Sequence, residues 1–586
     1  MFRRAFLHSI GIAAPAALAA QRRQTLDPRL SKMTAGPKPA IAMNHLGYIP
    51  KARKSVIYRL TGSGPAPTEF RMTEIGIPTP PFSMTGPLKR VASDFGDFMA
   101  GDFTQVERDG MYQVTIAGER SVPFFIRQDV WRRTMPKAFN FYPSKRCGIG
   151  VPNVHPACHL DDARRRDNGE YIDVTGGWHD AGDLRKWMVS ALLSGTALSN
   201  MVRNLGDSWN PDGSGLKLML DEIKWGNRYW LKMQDADGRV FNDAAGGIDG
   251  DNSDNHWTDN IRGTADDRYI NPSKPNGVQA EFTTVQALLA QIYRHSDPGY
   301  GQQCLPVALK CWNANKPDGD AINLGWWTLA ACELYRATGD RKWAGETASL
   351  AARLMALQNR EYAGNQKIVR GFWRTSEQNP APMMSHFLPG IPAISLMQAE
   401  RALPDHAGAG KWRDAVRLYL DEYVLPMTSR NVFRIMPLGL FNGSPSEEVY
   451  RPLGGEFTYR YFMPAARGSH GLTSHFESYA AMLAMAGNAF QNKEYTDLAY
   501  RQLEWVMGCN PFGACLMTGE GMRNPYPHSR YEGLTIGAIM NGFGGNENDD
   551  PIIDMDYGFD WHTTEYWQPH NAWYLWTNSI LESGKV

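Results

Sequence analysis

Two textures of hydrophobic and polar positions divide the chain. From Ile41 to Gln128 the apolar residues come in short alternating runs cut by turn residues: Ser55-Val56-Ile57-Tyr58, then Gly110-Met111-Tyr112-Gln113-Val114-Thr115-Ile116, then Val122-Pro123-Phe124-Phe125-Ile126. Side chains on a strand alternate between faces, so short runs at this spacing predict a small β-sandwich over residues 39–130. Beyond about Arg132 the period turns helical and stays so to the end of the chain. Leu220-Asp221-Glu222-Ile223-Lys224-Trp225 runs on to Tyr229, Trp230 and Met233, while Val285, Leu288, Leu289, Ile292 and Tyr293 fall at the steps of one buried helical face. Tyr495, Leu498, Ala499, Leu503 and Val506 do the same ahead of Gly508, a residue suited to the left-handed position that ends a helix. Ser474-His475-Phe476-Glu477 matches a capping box, in which hydroxyl and carboxylate each satisfy an orphan backbone N–H. Long loops rich in Gly, Asp, Asn and Trp separate the helices, residues 246–260 and 523–560 among them, and loops of that length in a compact domain are usually functional. The pattern predicts a mainly α protein: an all-α unit over residues 131–586 behind the sandwich.

The N-terminus stands apart from this fold. Arg3 and Arg4 precede an apolar run from Ile10 to Ala20 that holds the small-residue pattern Ala17-Leu18-Ala19. Residues 1–20 therefore read as a removed export signal of twin-arginine type, with a general secretory signal carrying two incidental arginines as the alternative. Residues 21–38, with Pro28, Gly36 and Pro37, read as a linker. No later stretch reaches the roughly 20 uninterrupted apolar residues of a membrane helix, so a secreted bacterial protein without a membrane partner is expected.

Charge and composition narrow the partners. The chain has 61 Lys+Arg against 61 Asp+Glu, and a nucleic-acid binder would carry a basic excess to neutralise phosphates. The 11% aromatic content excludes a disordered chain. Seven Cys are too few for a disulfide scaffold and cannot all pair within the chain.

The densest polar constellation is Asp173-Val174-Thr175-Gly176-Gly177-Trp178-His179-Asp180-Ala181-Gly182-Asp183. Asp180 and Asp183, three apart around a turn, can face one side, where two carboxylates share a water or a cation. The plainer alternative has Asp183 capping a helix that begins at Leu184, with Asp180 solvating a turn. Cys147, Cys158, His159 and His179 form a second set. Two thiolates and two imidazoles suit tetrahedral Zn²⁺ with no open position, hence a structural site; a Cys147–Cys158 disulfide is the alternative. The other cysteines, Cys304, Cys311, Cys332, Cys509 and Cys515, lie in or near apolar segments and read as buried small hydrophobes.

The run from Asp173 to Asp183 resembles the signature of glycoside hydrolase family 9, the inverting cellulase family, in the branch with an N-terminal immunoglobulin-like domain. Ile41-Ala42-Met43-Asn44-His45-Leu46-Gly47-Tyr48-Ile49-Pro50 resembles the opening strand of that domain, and Gly101-Asp102-Phe103-Thr104 through Gly110-Met111-Tyr112 its later hairpin. Leu220 to Gln234 resembles an early barrel helix, and Met507-Gly508-Cys509-Asn510-Pro511-Phe512-Gly513 a late one. The resemblance covers nearly the whole chain beyond the signal and implies an (α/α)6 toroid preceded by an immunoglobulin-like β-sandwich. It makes Asp183 the general base, Asp180 the second Asp that holds the attacking water, and Glu565 the general acid, in the pattern Asp560, Glu565, Asn571. Two departures bear on substrate fit. Thr564 stands where an Asn often precedes the acid, and the residues after it (Tyr566, Trp567, Gln568, Pro569, His570) are bulkier and more polar than usual. Pro527-His528-Ser529-Arg530 resembles the family's Pro-His-His-Arg, so His528 and Arg530 are implied sugar contacts, with Ser529 replacing the second His.

The resemblance further implies hydrolysis of β-1,4-linked glucans, with endoglucanase action as the default. An inverting enzyme needs a protonated acid and an ionised base on opposite faces of the sugar, about 6.5–9.5 Å apart so that a water fits between them. Glu565 is accordingly expected to hold its proton near neutral pH. That branch of the family also carries zinc on the order Cys, Cys-His, His matched by Cys147, Cys158, His159 and His179. Calcium is common in the family, yet Asp249-Gly250-Asp251-Asn252-Ser253-Asp254 fails the EF-hand pattern, with Asp254 where Gly belongs and Asn260 where the bidentate Glu belongs, so calcium has no assigned ligands here. Trp257 and Trp561 are the first choices for stacking on sugar rings. Tyr269, Trp373, Tyr459, Tyr461 and Trp567 are further candidates, and Trp326 and Trp327 read as core. The alternatives are an exo-acting, amino-sugar or xyloglucan-active member of the family, and a non-catalytic carbohydrate-binding protein on the same fold. A metallohydrolase is disfavoured by the closed ligand set.

Overall fold

The computed structural model describes residues 38–61, 64–76, 81–246, 256–363, 368–464, 470–529 and 532–586. The export signal and almost all of the linker lie outside the described residues, as does the acidic segment from Asp249 to Asp254.

Among the described residues nine strands form the N-terminal unit: β1 (Ile41–Ala42), β2 (Gly47–Tyr48), β3 (Ser55–Arg59), β4 (Glu69–Glu74), β5 (Ser83–Ser93), β6 (Gly96–Asp102), β7 (Gly110–Ile116), β8 (Glu119–Arg120) and β9 (Phe124–Ile126). They are hydrogen-bonded in the order β1-β3-β6-β5-β4-β7-β9-β2, with β8 on β7. Strand β5 serves both layers of the sandwich: Ser83 to Pro87 pair with β4, and Leu88 to Ser93 pair with β6. Pro87, which has no N–H to donate, sits at the changeover. Alternation then sorts the side chains. Val56, Phe70, Met72, Met99, Tyr112, Val114 and Phe124 fill the space between layers. Ile57 and Phe98, each next in sequence to one of these, point the other way and join the core of the helical unit, so the β1-β3-β6 layer is buried on both faces.

The turn between β5 and β6 deepens that contact. Phe95 lies 4.6 Å from the Tyr461 ring, and the hydroxyls of Tyr459 and Tyr461 donate to Asp94 Oδ2 at 2.8 and 2.7 Å. Tyr459 and Tyr461, read from sequence as candidate sugar-stacking residues, are therefore interface residues with 2% and 0% exposure. Trp373 is likewise core at 1%. A long aromatic side chain gains about 2–3 kcal/mol from such burial, and with a polar end it needs an internal partner once buried.

The helical unit opens with α1 (Met135–Phe139) and then alternates inner and outer helices. The pairs are α2 (Met188–Leu205) and α3 (Gly215–Lys232), α4 (Asn276–Ile292) and α5 (Pro298–Asn313), α6 (Ala321–Thr338) and α7 (Arg341–Ala356), α8 (Ile391–Ala402) and α9 (Ala409–Tyr419), and α10 (Thr473–Phe490) and α11 (Lys493–Val506). Short α12 (Trp561–Thr564) precedes the last inner helix, α13 (Gln568–Ser583). Helices α2, α4, α6, α8, α10 and α13 pack each on the next, and α13 packs back on α2, closing a ring; α3, α5, α7, α9, α11 and α1 cover it from outside. This is the (α/α)6 toroid.

Composition explains which helix goes where. The inner helix α10 is buried without interruption from Thr473 to Gly487, and it can be, because it is apolar or small almost all round. The outer α3 buries Met219, Leu220, Ile223, Gly226, Tyr229 and Trp230 on one stripe, together with the carboxylate of Glu222, and turns most of its other charges outward. Asp297, Asp320, Asp340 and Asn492 cap α5, α6, α7 and α11 by accepting from a backbone N–H two or three residues on. The helix ahead of Gly508 ends as expected, with that residue at φ +108°. The capping box at Ser474–Glu477 is not formed. Helix α10 starts at Thr473, Ser474 Oγ is 2.5 Å from His570 Nδ1, and both Glu477 carboxylate oxygens are buried without a hydrogen bond. Burial pushes the Glu477 carboxyl well above the ordinary range.

Because each outer helix carries the chain back, the six inner helices all start at one end of the ring. The loops feeding those starts hold Asp183 ahead of α2, His386 ahead of α8, His470 ahead of α10 and Glu565 ahead of α13. Among the described residues no helix is long and apolar enough to cross a membrane.

Candidate active site

The segment carrying Asp180 and Asp183 is held from below. Trp178, 1% exposed, donates through Nε1 to Glu222 Oε1 at 2.7 Å, and Arg146 pairs with the same carboxylate at 2.6 Å. Trp225 Nε1 and the backbone N–H of Cys147 both donate to the Gly177 carbonyl at 2.9 Å. Helix α2 begins at Met188 with Trp187 at its N-cap, so Asp183 caps no helix and the capping alternative falls away.

The segment is stitched sideways to the one that follows Glu565. Gly182 N–H donates to the Tyr566 carbonyl at 3.1 Å, Gln568 N–H donates to the Asp180 carbonyl at 2.9 Å, and Ala181 faces Trp567 as an antiparallel bridge. Gly182 lies between the two aspartates, and its missing side chain is what lets the acid approach. A Cβ there would fall 2.4 Å from the His528 carbonyl oxygen, 3.0 Å from Glu565 Cγ and 3.3 Å from Glu565 Oε1. The acid named near the C-terminus thus lies against the glycine between the two aspartates.

Glu565 leaves α12 in an extended conformation, with φ −70° and ψ 140°. Asp560 caps that short helix, accepting from His562 N–H at 3.3 Å and from Thr563 Oγ1 at 2.7 Å. His528 pairs alongside Glu565: its N–H donates to the Thr564 carbonyl at 3.0 Å, and its Nδ1 is 2.7 Å from the Gly558 carbonyl oxygen. Asn571 is a tether. It donates to the carbonyls of Ala138 and Gly537 at 2.9 and 2.8 Å and accepts from Ile539 N–H at 3.1 Å. Trp561 stacks on His562 at 3.8 Å beside the acid. Arg530 lies outside the described residues.

Trp567, a sequence candidate for sugar stacking, and two histidines that sequence reasoning gave no role, His386 and His470, complete this wall. Trp567 Nε1 donates to Asp180 Oδ2 at 3.1 Å, while Asp180 Oδ1 is buried without a partner. The other side of the Trp567 indole is covered by His386, nearly parallel at 8° and 5.9 Å, and by the edge of His470 at 5.6 Å. Burial, and then the neighbouring charge of Asp183, raise the Asp180 carboxyl to about 7. Burial lowers the His470 imidazole to about 4, so it is neutral here. The bulk of Trp567 was visible in the sequence, but its bond to Asp180 was not. His386 and His470 carried no signal at all.

The second predicted set also converges. One donor atom from each of Cys147, Cys158, His159 and His179 lies within 4.8 Å of the others, and all four residues are buried. Both cysteines are free thiols. The imidazoles are oriented from behind: His179 Nδ1 meets Glu532 Oε1, whose other oxygen meets Lys145 Nζ, and His159 Nε2 is 3.4 Å from the His256 carbonyl oxygen. Each ring therefore turns its remaining nitrogen, His179 Nε2 or His159 Nδ1, toward a cysteine sulfur at 3.7 or 3.5 Å. A metal-binding histidine needs this arrangement, and a carboxylate on the far nitrogen fixes its tautomer. Burial opposes ionisation of Glu532, but Lys145 and His179 prevail and hold its carboxyl at about 2. Glu532 was missed in the sequence because no spacing links it to the donors. Trp257 packs against His155, His159 and His179, so it covers this donor set.

The family profile of glycosyl hydrolase family 9 matches residues 131–549, well over half of the chain. The chain belongs to glycosyl hydrolase family 9. Endoglucanase D of Acetivibrio thermocellus is 23% identical over 465 residues, covering 74% of this chain and 66% of that protein. A cellulose 1,4-beta-cellobiosidase of the same organism is 22% identical over 651 residues, covering 95% and 69%. This family 9 chain matches about two thirds of the length of the first curated relatives. The solved structure of a metagenome-derived glycoside hydrolase family 9 endoglucanase shares the fold, with TM-score 0.69 and 21% identity over 93% of this chain and 99% of the other.

Proposed function

We propose that this family 9 chain is an inverting glycoside hydrolase that cleaves β-1,4-glucosidic bonds. Asp183 is the base that takes a proton from the attacking water, Asp180 holds that water, and Glu565 protonates the leaving oxygen. The observation that carries this is the approach of Glu565 to Gly182, between the two aspartates, because a binding protein needs no acid set against a pair of carboxylates. Asp180, raised to about 7 and held on one oxygen by Trp567, suits a shared proton and a fixed water better than it suits a free base. His528 and Arg530 contact sugar hydroxyls, and Trp561 offers a ring face beside the acid. Trp257 has one ring face on His159, so a sugar that it stacks lies on its other face.

The Cys147, Cys158, His159 and His179 donors fit zinc in type, number and orientation. Bound there, zinc would supply no open coordination position and thus no chemistry beyond fixing the loop, pinning His179 next to Asp180. The domain reading follows the same lines: an export signal over residues 1–20, a linker over 21–38, the sandwich over 39–130 and the toroid over 131–586, in a protein secreted from a bacterial cell.

Endo action on soluble β-glucan is the primary reading. A second, release of short units from chain ends, is favoured by the wall of Trp567, His386 and His470 beside Asp180, and by the relative named cellobiosidase. Product analysis on soluble cellulose, cello-oligosaccharides, xyloglucan and chitosan oligomers separates them. Endo action gives a fast fall in viscosity and a spread of oligomers; exo action gives one short product with viscosity retained; no release from any of the four removes the catalytic reading.

A further inference from the structure

Two buried polar residues near the acid take no part in the proposed chemistry: His570, among the bulky residues that follow Glu565, and Ser474, whose capping box does not form. They meet each other. Ser474 Oγ is 2.5 Å from His570 Nδ1, and His570 Nε2 is 2.8 Å from Oδ1 of Asn541, which is buried as well. Asn541 makes three further bonds. Its Nδ2 donates to the Trp561 carbonyl at 2.8 Å, its backbone N–H donates to the Glu565 carbonyl at 2.9 Å, and its own carbonyl accepts from Thr473 N–H at 3.0 Å. With the amide nitrogen committed to Trp561, the amide oxygen faces His570, so the imidazole proton sits on Nε2. Burial, then the neighbouring His470 and His386, hold this imidazole well below its ordinary range, which leaves Nδ1 to accept from the Ser474 hydroxyl. Donors thus run in one direction, from Ser474 through His570 and Asn541 to the Trp561 carbonyl.

Trp561 and Glu565 stand at the two ends of the short helix α12. A helix of four residues has almost no stability of its own, so outside donors must hold it. Its carbonyls are taken in turn: His562 accepts from Gly471 N–H at 2.8 Å, Thr563 from Gly542 N–H at 2.7 Å and Thr564 from His528 N–H at 3.0 Å. The first and the last, on Trp561 and Glu565, both go to Asn541. We propose that Ser474, His570 and Asn541 are positioning residues for the general acid: Ser474 and His570 fix the Asn541 amide, and Asn541 clamps both ends of the segment that carries Glu565. The inference rests on Glu565 being the acid. A serine and a histidine in this order could also suggest a nucleophile, but both are sealed from solvent. The chain also ends on an amide, which holds a tautomer and offers no charge to an imidazolium.

His570→Phe removes both hydrogen bonds and keeps a ring against Trp567, whose centroid lies 5.5 Å from that of His570 at 83°. Its kcat on soluble β-glucan is expected to fall about 10–10²-fold with little change in KM, because a displaced acid costs rate in the transition state and not ground-state binding. On an aryl β-cellobioside whose activated leaving group departs without a proton, the same variant stays within about threefold of wild type, since the base side is untouched. Ser474→Ala is a milder cut that gives the same split with a smaller loss, and it decides the matter if a melting curve shows that His570→Phe does not fold. Equal losses on the two substrates, or wild-type kcat on β-glucan, overturn the assignment. Glu565→Gln run alongside tests the reading beneath it. If Glu565→Gln fails to regain rate on the aryl substrate, the acid assignment falls and the positioning role with it; if it regains rate and the folded variant does not show the split, only the positioning role falls.

Discussion

Glu565→Gln and Asp183→Asn each lower kcat on soluble β-glucan by about 10²–10⁴-fold, the range over which general acid and base groups act. Their folds survive, because Gly182 N–H, the Glu565 carbonyl and the Thr564 carbonyl carry backbone bonds that place both segments, and the bond from Arg185 N–H to Asp183 Oδ1 at 3.3 Å can be kept by the amide oxygen of Asn. The two losses differ in kind. A substrate with an activated aryl leaving group departs without a proton, so Glu565→Gln regains much of its rate on it, while Asp183→Asn, which still lacks a base, does not. Steady-state kinetics of both variants on both substrates give the check. Near wild-type kcat in either variant on the polysaccharide removes that residue from its role, and recovery of Asp183→Asn alone reverses the two assignments.

The second large effect concerns the metal donors. Cys158→Ser is expected to reduce bound zinc from about one per chain to none and to lower the thermal midpoint by about 5 °C, since loss of a structural metal costs several kcal/mol against the large unfolding entropy of a chain this long. Activity falls with it, because His179 adjoins Asp180. Elemental analysis, a melting curve and thiol titration in denaturant together decide. With zinc as the ligand partner, all seven cysteines titrate without reductant once metal is chelated. Two fewer thiols and no zinc in wild type would return the pair to a disulfide.

The parts legible in the sequence are those whose chemistry is local. Asp180 and Asp183 stand in one short motif, Glu565 stands at a fixed distance from Asp560 and Asn571, and Cys158-His159 is a dipeptide; the fold then brings them together. Periodicity likewise gave the sandwich and the helical unit, because faces of strands and helices are written in steps of two and of three to four residues. What stayed hidden depends on tertiary neighbours. Glu532 lies hundreds of positions from His179 and is joined to it only by folding. Trp567, His386 and His470 converge because three inner helices start at one end of the ring. The Ser474–Glu477 box was misleading for the same reason: its residues suit a solvent-exposed helix start, whereas α10 begins deep in the ring, where His570 takes the Ser474 hydroxyl. Tyr459 and Tyr461 look like sugar platforms by type, but the turn at Asp94 claims them.

Stereochemistry tests the central claim most directly. Proton NMR of cellotetraose during the first minutes of hydrolysis, before mutarotation, reads the configuration at the new reducing end. Attack by a water held between Asp180 and Asp183, opposite a leaving group protonated by Glu565, predicts the α anomer first, with the β anomer growing in later. A new reducing end that forms first as the β anomer would mean retention through a covalent intermediate and would contradict the roles given to all three carboxylates.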